Sequence, residues 1–382
     1  MNISKFVTPE IIFGCGSLSQ VGESARRLGA SKVFVVSDEG VIGAGWVEKA
    51  LHYLHAAGLK TSVFSALTTN PKDLEVTEGA ACYLASGCDA IAAVGGGSPT
   101  DVAKAVAILV TNGGSTRDYE GINRIHRPLP PMLSVPSTAG AGSEVSQFAI
   151  IIDTERRLKM SIISKSLVPD IAIVDPELLC TKDARLAAAT GVDALTHGIE
   201  SYVSLAGTHL TEIHALKAIE LIARYLRRAV ADRDDLEANT HMAMASLSAG
   251  IAFSNAILGA THAMAHQVDG QLDQHHGESN AALLPHVMEF NLPACPERFQ
   301  KIASAFGKDV RGLAPERAAV LAITAVRELL ADVGLDQGLA ALGLNEAVIP
   351  ELSRNALRDA CLVTNPREAS RADLEDLFRR AL

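Results

Sequence analysis

The stretch GVDALTHGIE, residues 191–200, places Asp193 and His197 four positions apart in a run of mostly small or apolar residues. On an α-helix, side chains at i and i+4 share a face, about 6 Å apart along the axis. The pair admits two readings: a local hydrogen bond that satisfies both groups, or half of a metal site whose remaining ligands lie elsewhere. Candidates for those ligands come downstream in THAMAHQVDGQLDQHHGE, residues 261–278, where His262 and His266 repeat the spacing and His275 and His276 follow. A single histidine on an apolar helix is usually a hydrogen-bonded core residue. Four within fifteen positions, taken with Asp193 and His197, favour a metal. Imidazoles with one carboxylate suit Fe(II) or Zn(II) better than the oxygen-seeking Mg(II) or Ca(II). Spacing alone leaves open which histidines bind.

A second chemistry is suggested by VGGGSPTDVAKA, residues 94–105. Glycines let backbone approach a ligand closely, Ser98 suits the N-cap of a following helix, and Pro99 suits its first turn. A helix start of this kind binds anions and would accept a pyrophosphate, although a tight strand-to-helix turn explains the same residues. The dinucleotide fingerprint GxGxxG should follow the first strand of such a fold, and the first strand read here ends in SDEG. A second small-residue turn, PSTAGAGSEVS at 136–146, adds hydroxyls and N–H groups at the same sheet edge. Two such turns favour a nucleotide.

These residues need elements to position them. A chain of 382 residues is long for one core and predicts two domains, 1–180 and 181–382. The first alternates strands (KVFVVSD, TSVFSAL, AIAAVGGGSP, PMLSVPST, IAIVDPEL) with helical patterns such as GWVEKALHYLHAAG and PKDLEVTEGAACYLASG, which implies an α/β domain with a parallel sheet. From about 181 strand signals fade and helical periodicity dominates, as in TEIHALKAIELIARYLRRAV, so the second domain should be all-α. Hydrophobic residues make up 48% and charged residues 20%, and the formal charge of −10 argues against nucleic acid and anionic membranes as partners. No apolar run is long enough to span a bilayer, and no basic leader precedes an apolar core. The expected location is cytoplasmic. Six cysteines without framework spacing read as reduced, mostly buried thiols of little functional meaning.

Taken together, GGGSPTDVAKA, PSTAGAGSEVS, DPELL, GVDALTHGIESY, FSNAILGATHAMAHQ, HHGESNAALLPHV and TNPRE resemble the iron-containing (group III) alcohol dehydrogenase family, which includes propanediol dehydrogenases and lactaldehyde reductase. The motifs span nearly the whole chain in the family's order. The resemblance implies a dehydroquinate synthase-like architecture, an N-terminal nucleotide-binding domain, a helical C-terminal domain and a metal in the cleft between them. Carried over residue by residue, the ligands are Asp193, His197, His262 and His276. His266 then lies near nicotinamide and substrate, and Phe253 walls the pocket. The expected activity is hydride transfer between a primary or small polar alcohol and NAD, with Fe(II) favoured because it accepts five or six ligands and Zn(II) as a substitute. Gly95, Gly96, Gly97 and Ser98 are expected to hold the phosphates. Thr138, Ser143 and Lys159 approach the rest of the cofactor by resemblance. Asp101 also belongs to the motif, although a first-turn carboxylate can simply cap a helix. Asp38, at the end of KVFVVSD, is where NAD-preferring members carry an acid, and its charge would repel the 2′-phosphate of NADP.

Two departures stand out. His275 replaces the proline that commonly precedes the last ligand, and QVDGQLDQ brings Asp269, Gln271 and Asp273 into a usually apolar stretch. If any of these polar residues faces the pocket it favours a polyol or otherwise polar alcohol; otherwise they are solvated loop residues. A glycerol dehydrogenase, a hydroxyacid-oxoacid transhydrogenase and a dehydroquinate synthase-type lyase are the alternative activities. The lyase lacks the basic cluster that its anionic substrate would need. A structural or regulatory metal protein would have no use for two nucleotide turns. The remaining expected partners are copies of the same chain, in a homodimer or higher homo-oligomer.

Overall fold

In the computed structural model, Lys32–Val36 alternates between two hydrophobic layers: Val33 and Val35 face one and Phe34 and Val36 the other, all fully buried. Burial on both faces is what a parallel strand covered by helices requires. The structure describes residues 5–156, 158–272 and 274–382. Its first unit, Val7–Lys182, runs β1 (Glu10–Phe13), α1 (Val21–Arg27), β2 (Lys32–Val36), α2 (Glu39–Gly43), α3 (Trp46–Ala56), β3 (Lys60–Phe64), α4 (Asp73–Ser86), β4 (Ala90–Gly95), α5 (Gly97–Asn112), β5 (Gly121–Ile122), β6 (Met132–Pro136), β7 (Phe148–Asp153), β8 (Leu158–Ile163) and β9 (Ile171–Val174).

Six strands form one parallel sheet in the order β1-β9-β6-β4-β2-β3. The register pairs Val36 with Ala93 and Gly95 with Pro136, so the carboxyl ends of β2, β4 and β6 lie side by side. Two bonds tie these ends together: the Ser37 hydroxyl donates to the Val94 carbonyl at 2.6 Å, and the Ser137 amide donates to the Gly95 carbonyl at 2.9 Å. Two features differ from expectation. The first strand is β1, ahead of KVFVVSD, and it occupies a sheet edge. A second sheet, β5-β8-β7, contains an antiparallel hairpin that the strand signals missed. Nor are the cysteines mostly buried: Cys88 and Cys361 are buried, while Cys15 and Cys82 are exposed.

The second unit covers Asp183–Leu382 together with Phe6, whose ring stacks on His214. It is helical throughout: α6 (Ala184–Val203), α7 (His209–Ala231), α8 (Leu236–Ala256), α9 (Ala260–Leu272), α10 (His276–Asn291), α11 (Pro296–Ala305), α12 (Pro315–Asp332), α13 (Ile349–Ala356) and α14 (Arg371–Arg380). Asp183 starts α6 by accepting a bond from the Leu186 amide at 2.8 Å. From Ala188 to Val203 every residue of that helix is buried. Small residues allow such close packing. A Cβ on Gly191 would fall 2.2 Å from Leu226 Cδ1 of α7, and one on Gly277 would fall 2.0 Å from the Ala189 carbonyl oxygen, so α10 rests directly on the backbone of α6. No single helix among the described residues is long and apolar enough to cross a membrane.

Candidate metal centre and nucleotide turn

The spacing that stacks Asp193 under His197 on α6 does not produce a hydrogen bond between them. His197 Nε2 stands 3.7 Å from Asp193 Oδ1, beyond hydrogen-bond reach. The same oxygen has His262 Nε2 at 3.6 Å and His276 Nε2 at 3.7 Å. Thus one carboxylate oxygen faces three imidazole nitrogens at nearly equal distance. Two donors each about 2.1 Å from a shared ion at a tetrahedral angle lie about 3.4 Å apart, so this spacing suits a common cation. The donor atoms of Asp193, His262 and His276 all lie within 4.8 Å of one another. His197 falls outside that group: it approaches Asp193 Oδ1 and stacks on His262 with ring centroids 4.6 Å apart, so three of the four expected ligands converge closely and the fourth flanks them. Phe253 packs on the other side of the group, its ring 4.3 Å from that of His197.

The orientation of each imidazole has a cause. His262 Nδ1 lies 2.7 Å from Glu200 Oε2, His276 Nδ1 lies 2.6 Å from Asp269 Oδ2, and His266 Nδ1 lies 2.8 Å from Asp359 Oδ2. A carboxylate only accepts, so in each pair Nδ1 carries a proton, and the neutral ring presents its lone pair at Nε2. Glu200 also accepts from the amides of Gly259 at 3.0 Å and Thr261 at 2.6 Å, which satisfies the start of α9 while aiming His262. Burial opposes ionisation of Asp193, but the imidazoles of His197, His276 and His262 hold its carboxyl well below the ordinary carboxylate range. Burial likewise favours neutral His262, yet Asp193 and Glu200 raise it to about 9. His266 stacks on His276 with centroids 5.5 Å apart, and it forms a separate group with Asp359 and buried Cys361.

Sequence reasoning missed Glu200, Asp359, Cys361 and the role of Asp269. Asp269 is fully buried and accepts from Ser279 Oγ at 2.6 Å as well as from His276, so it neither lines a polyol site nor belongs to a solvated loop. Gln271 is exposed on α9, and Asp273 lies outside the described residues. His275 occupies the N-cap position of α10, outside the group of three close donors.

In the first unit, Asp38, the turn after β4 and Thr138 come together at the sheet's carboxyl edge. A Cβ on Gly96 would lie 3.2 Å from Thr138 Oγ1, one on Gly97 would lie 3.0 Å from Ala141 Cβ, and one on Gly95 would lie 2.6 Å from Pro99 Cγ. Gly95, with φ +156°, therefore has to be glycine, and Gly96 and Gly97 leave little room for a side chain. Gly96, not Ser98, is the N-cap of α5, and no side chain caps it. The Ser98 hydroxyl instead donates to the Thr69 carbonyl. Asp101 does not cap the helix either: it is buried, accepts from the Ile150 amide at 3.2 Å and, chiefly through burial, is pushed up to about 6. The charges of Lys104 and of Lys159 on β8 draw it partly back toward the ionised form, and its Oδ1 is buried without a hydrogen-bond partner. Asp38 does cap α2, with Oδ1 accepting from the Val41 amide at 2.9 Å, while Oδ2 turns toward Gly95.

The chain thus joins a doubly covered parallel sheet with glycine backbone at its carboxyl edge to a helical unit with a histidine and carboxylate centre, a two-part α/β plus all-α fold. Comparison with known proteins narrows the class. A family model described as "Iron-containing alcohol dehydrogenase" matches residues 8–176, and one described as "Fe-containing alcohol dehydrogenase family, C-terminal" matches 187–382. The chain is 43% identical over 379 residues to the 1,3-propanediol dehydrogenase of Klebsiella pneumoniae, covering 98% of each. To the NAD-dependent methanol dehydrogenase of Bacillus methanolicus it is 39% identical over 377 residues, covering 99% of each. A crystal structure of a 1,3-propanediol oxidoreductase superposes with a TM-score of 0.97 at 42% identity, covering both chains completely. The chain belongs to the iron-containing alcohol dehydrogenase family, whose members act as oxidoreductases on alcohols and aldehydes.

Proposed function

We propose that this protein is an NAD-dependent alcohol dehydrogenase that uses Fe(II), with Zn(II) as a possible substitute, and interconverts a small primary alcohol and its aldehyde. The observation that carries the reading is Asp193 Oδ1 facing three Nε2 atoms at 3.6–3.7 Å. Asp193, His197, His262 and His276 would hold the ion, which when bound supplies positive charge against the alcohol oxygen as its proton leaves. The chain's own residues do the rest. Glu200 and Asp269 hold the Nδ1 protons of His262 and His276, so that each ring, once neutral, turns Nε2 toward the ion. Asp359 likewise holds the Nδ1 proton of His266, leaving His266 Nε2 to hold or pass a proton beside the reacting carbon. Phe253 keeps His197 in place and makes that side of the site apolar. In the first unit, the backbone of Gly95, Gly96, Gly97 and Ser98 would hold the pyrophosphate, with Thr138, Ser143 and Lys159 near the remainder. Asp38 Oδ2 would accept from the adenosine ribose and disfavour a 2′-phosphate. Asp101 acts one step removed, by holding the Ile150 amide of β7.

The names of the similar enzymes favour propanediol-sized or smaller primary alcohols. The burial of Asp269 behind His276 removes the reason to prefer a polyol. Six free cysteines are consistent with a cytoplasmic enzyme. Exposed Leu205, Ile213 and Val363 are consistent with a homo-oligomer, which sedimentation velocity would count.

The decisive experiment follows NADH formation with Fe(II)-loaded or Zn(II)-loaded protein and a panel of small alcohols, repeated with NADP. Steady NADH release with faster turnover on iron is expected. Turnover only when a second carbonyl compound is added would replace the dehydrogenase by a transhydrogenase.

A further inference from the structure

Asn280 lies four residues after His276 on α10 and is fully buried. Its side-chain nitrogen donates to Asp193 Oδ1 at 2.9 Å and lies 3.2 Å from His276 Nε2 and 3.5 Å from His262 Nε2. These three atoms are the close donors of the centre. With Nδ1 of both histidines committed to a carboxylate, each ring when neutral offers a lone pair at Nε2, and the Asn280 amide nitrogen faces Asp193 Oδ1 and these positions, which a cation would also use. The other end of the same group is the reverse. Asn280 Oδ1 is buried and has no hydrogen-bond partner. A buried carbonyl without a partner is uncommon, and leucine would fill the same volume without one.

Amide N–H groups and a divalent cation cannot occupy one set of lone pairs. A half-turn of the carboxamide exchanges nitrogen for oxygen at almost no change in shape and gives the orphaned oxygen a positive partner. The backbone has no need to move, because Ser279 already fastens this turn of α10 to Asp269. Resting on the metal-centre reading above, we propose that Asn280 belongs to the centre: its amide nitrogen holds the donors together before an ion enters, and its carbonyl oxygen turns toward the ion afterwards. This makes Asn280 a positioning residue whose two ends serve two states of loading.

The test uses the full chain, stripped with a chelator and titrated with Zn(II) against a chromogenic competitor. Asn280→Leu keeps the volume and removes both ends; Asn280→Asp keeps oxygen and removes the donor. Asn280→Leu should bind zinc at least about ten-fold more weakly than wild type, the scale of losing a residue that supports metal ligands. Asn280→Asp should stay within about three-fold of wild type, yet melt at a lower temperature than wild type without zinc and gain more from adding it. Should Asn280→Leu not fold, Asn280→Ala serves the same comparison. Wild-type zinc affinity in the leucine variant, or equal losses in the leucine and aspartate variants, would overturn the role of Asn280. Wild type that takes up no zinc would instead defeat the metal-centre reading itself.

Discussion

Lys104 on α5 and Asp193 on α6 are both buried charges on helices, and their surroundings are opposite in kind. Lys104 Nζ donates to the Ser146 carbonyl at 2.9 Å, the Ser146 hydroxyl at 3.0 Å and the Phe148 carbonyl at 2.8 Å, using every proton an ammonium has. Asp101 and Glu144 supply its counter-charge, and Lys104, which burial lowers to about 8, has no donor left over. Around Asp193 the carboxylates Glu200 and Asp269 bind the far nitrogens of two imidazoles and leave the near ones aimed at a common point. A closed polar network fastens α5 to the segment before β7; an open one makes a site. Burial alone does not distinguish structure from function. The direction of the remaining lone pairs does.

That contrast can be broken most severely at its centre. Asp193→Ala should cut metal affinity by more than about 100-fold, beyond the effect of losing a residue behind a ligand, and should abolish turnover with an unchanged circular dichroism spectrum. Metal analysis of the purified variant checks it, and a normal iron or zinc content would remove Asp193 from the site. His266→Ala should keep its metal and lose about 10²–10⁴-fold in kcat, the range for a group that moves a proton. If its metal is lost as well, His266 is a ligand.

On the closed side, Lys104→Met should cost about 3–5 kcal/mol in denaturant unfolding, because it strands two buried carboxyls and three acceptors, while zinc affinity stays as in wild type. A loss of metal with it would erase the distinction between the networks. Asp269→Asn should weaken zinc binding by about 10–100-fold, since an amide can present its N–H to His276 Nδ1 and favour the wrong tautomer. Competition titration reads this directly.

The smallest effect concerns pH. Burial pushes Glu144 up to about 7 from its ordinary 4.5, so between these values the folded chain holds a proton that the unfolded chain has lost, and stability falls as pH rises. Above 7 the cost is complete. Relative to wild type, Glu144→Gln should therefore gain about 2–3 kcal/mol between pH 4 and pH 8. Parallel denaturation curves at the two pH values would show Glu144 to be indifferent.

Helical spacing made much of the centre legible. Asp193 with His197, and His262 with His266, announced two faces, and the same spacing extended by three residues reaches Glu200 and Asp269, which an i, i+4, i+7 search of each helix would have found. Asp359 gave no such sign, because it meets His266 across 93 residues of chain. Ser98 shows why local rules fail at a turn: a carbonyl 29 residues away takes the hydroxyl that capping chemistry would assign to the helix. The parallel sheet was evident from β-branched runs. Its edge strand β1, only four residues long, and the β7-β8 hairpin depend on pairing that periodicity does not report.

Gly277 has a consequence for the spacing of the centre. It stands beside His276, and the clearance between α10 and α6 at this point is set by an atom that is missing. The distance from His276 to Asp193 is therefore a matter of helix contact, not of side-chain reach. A single methyl at position 277 would act as a shim between the two helices and move His276 away from Asp193, so the spacing of the centre is written partly in a side chain that is missing.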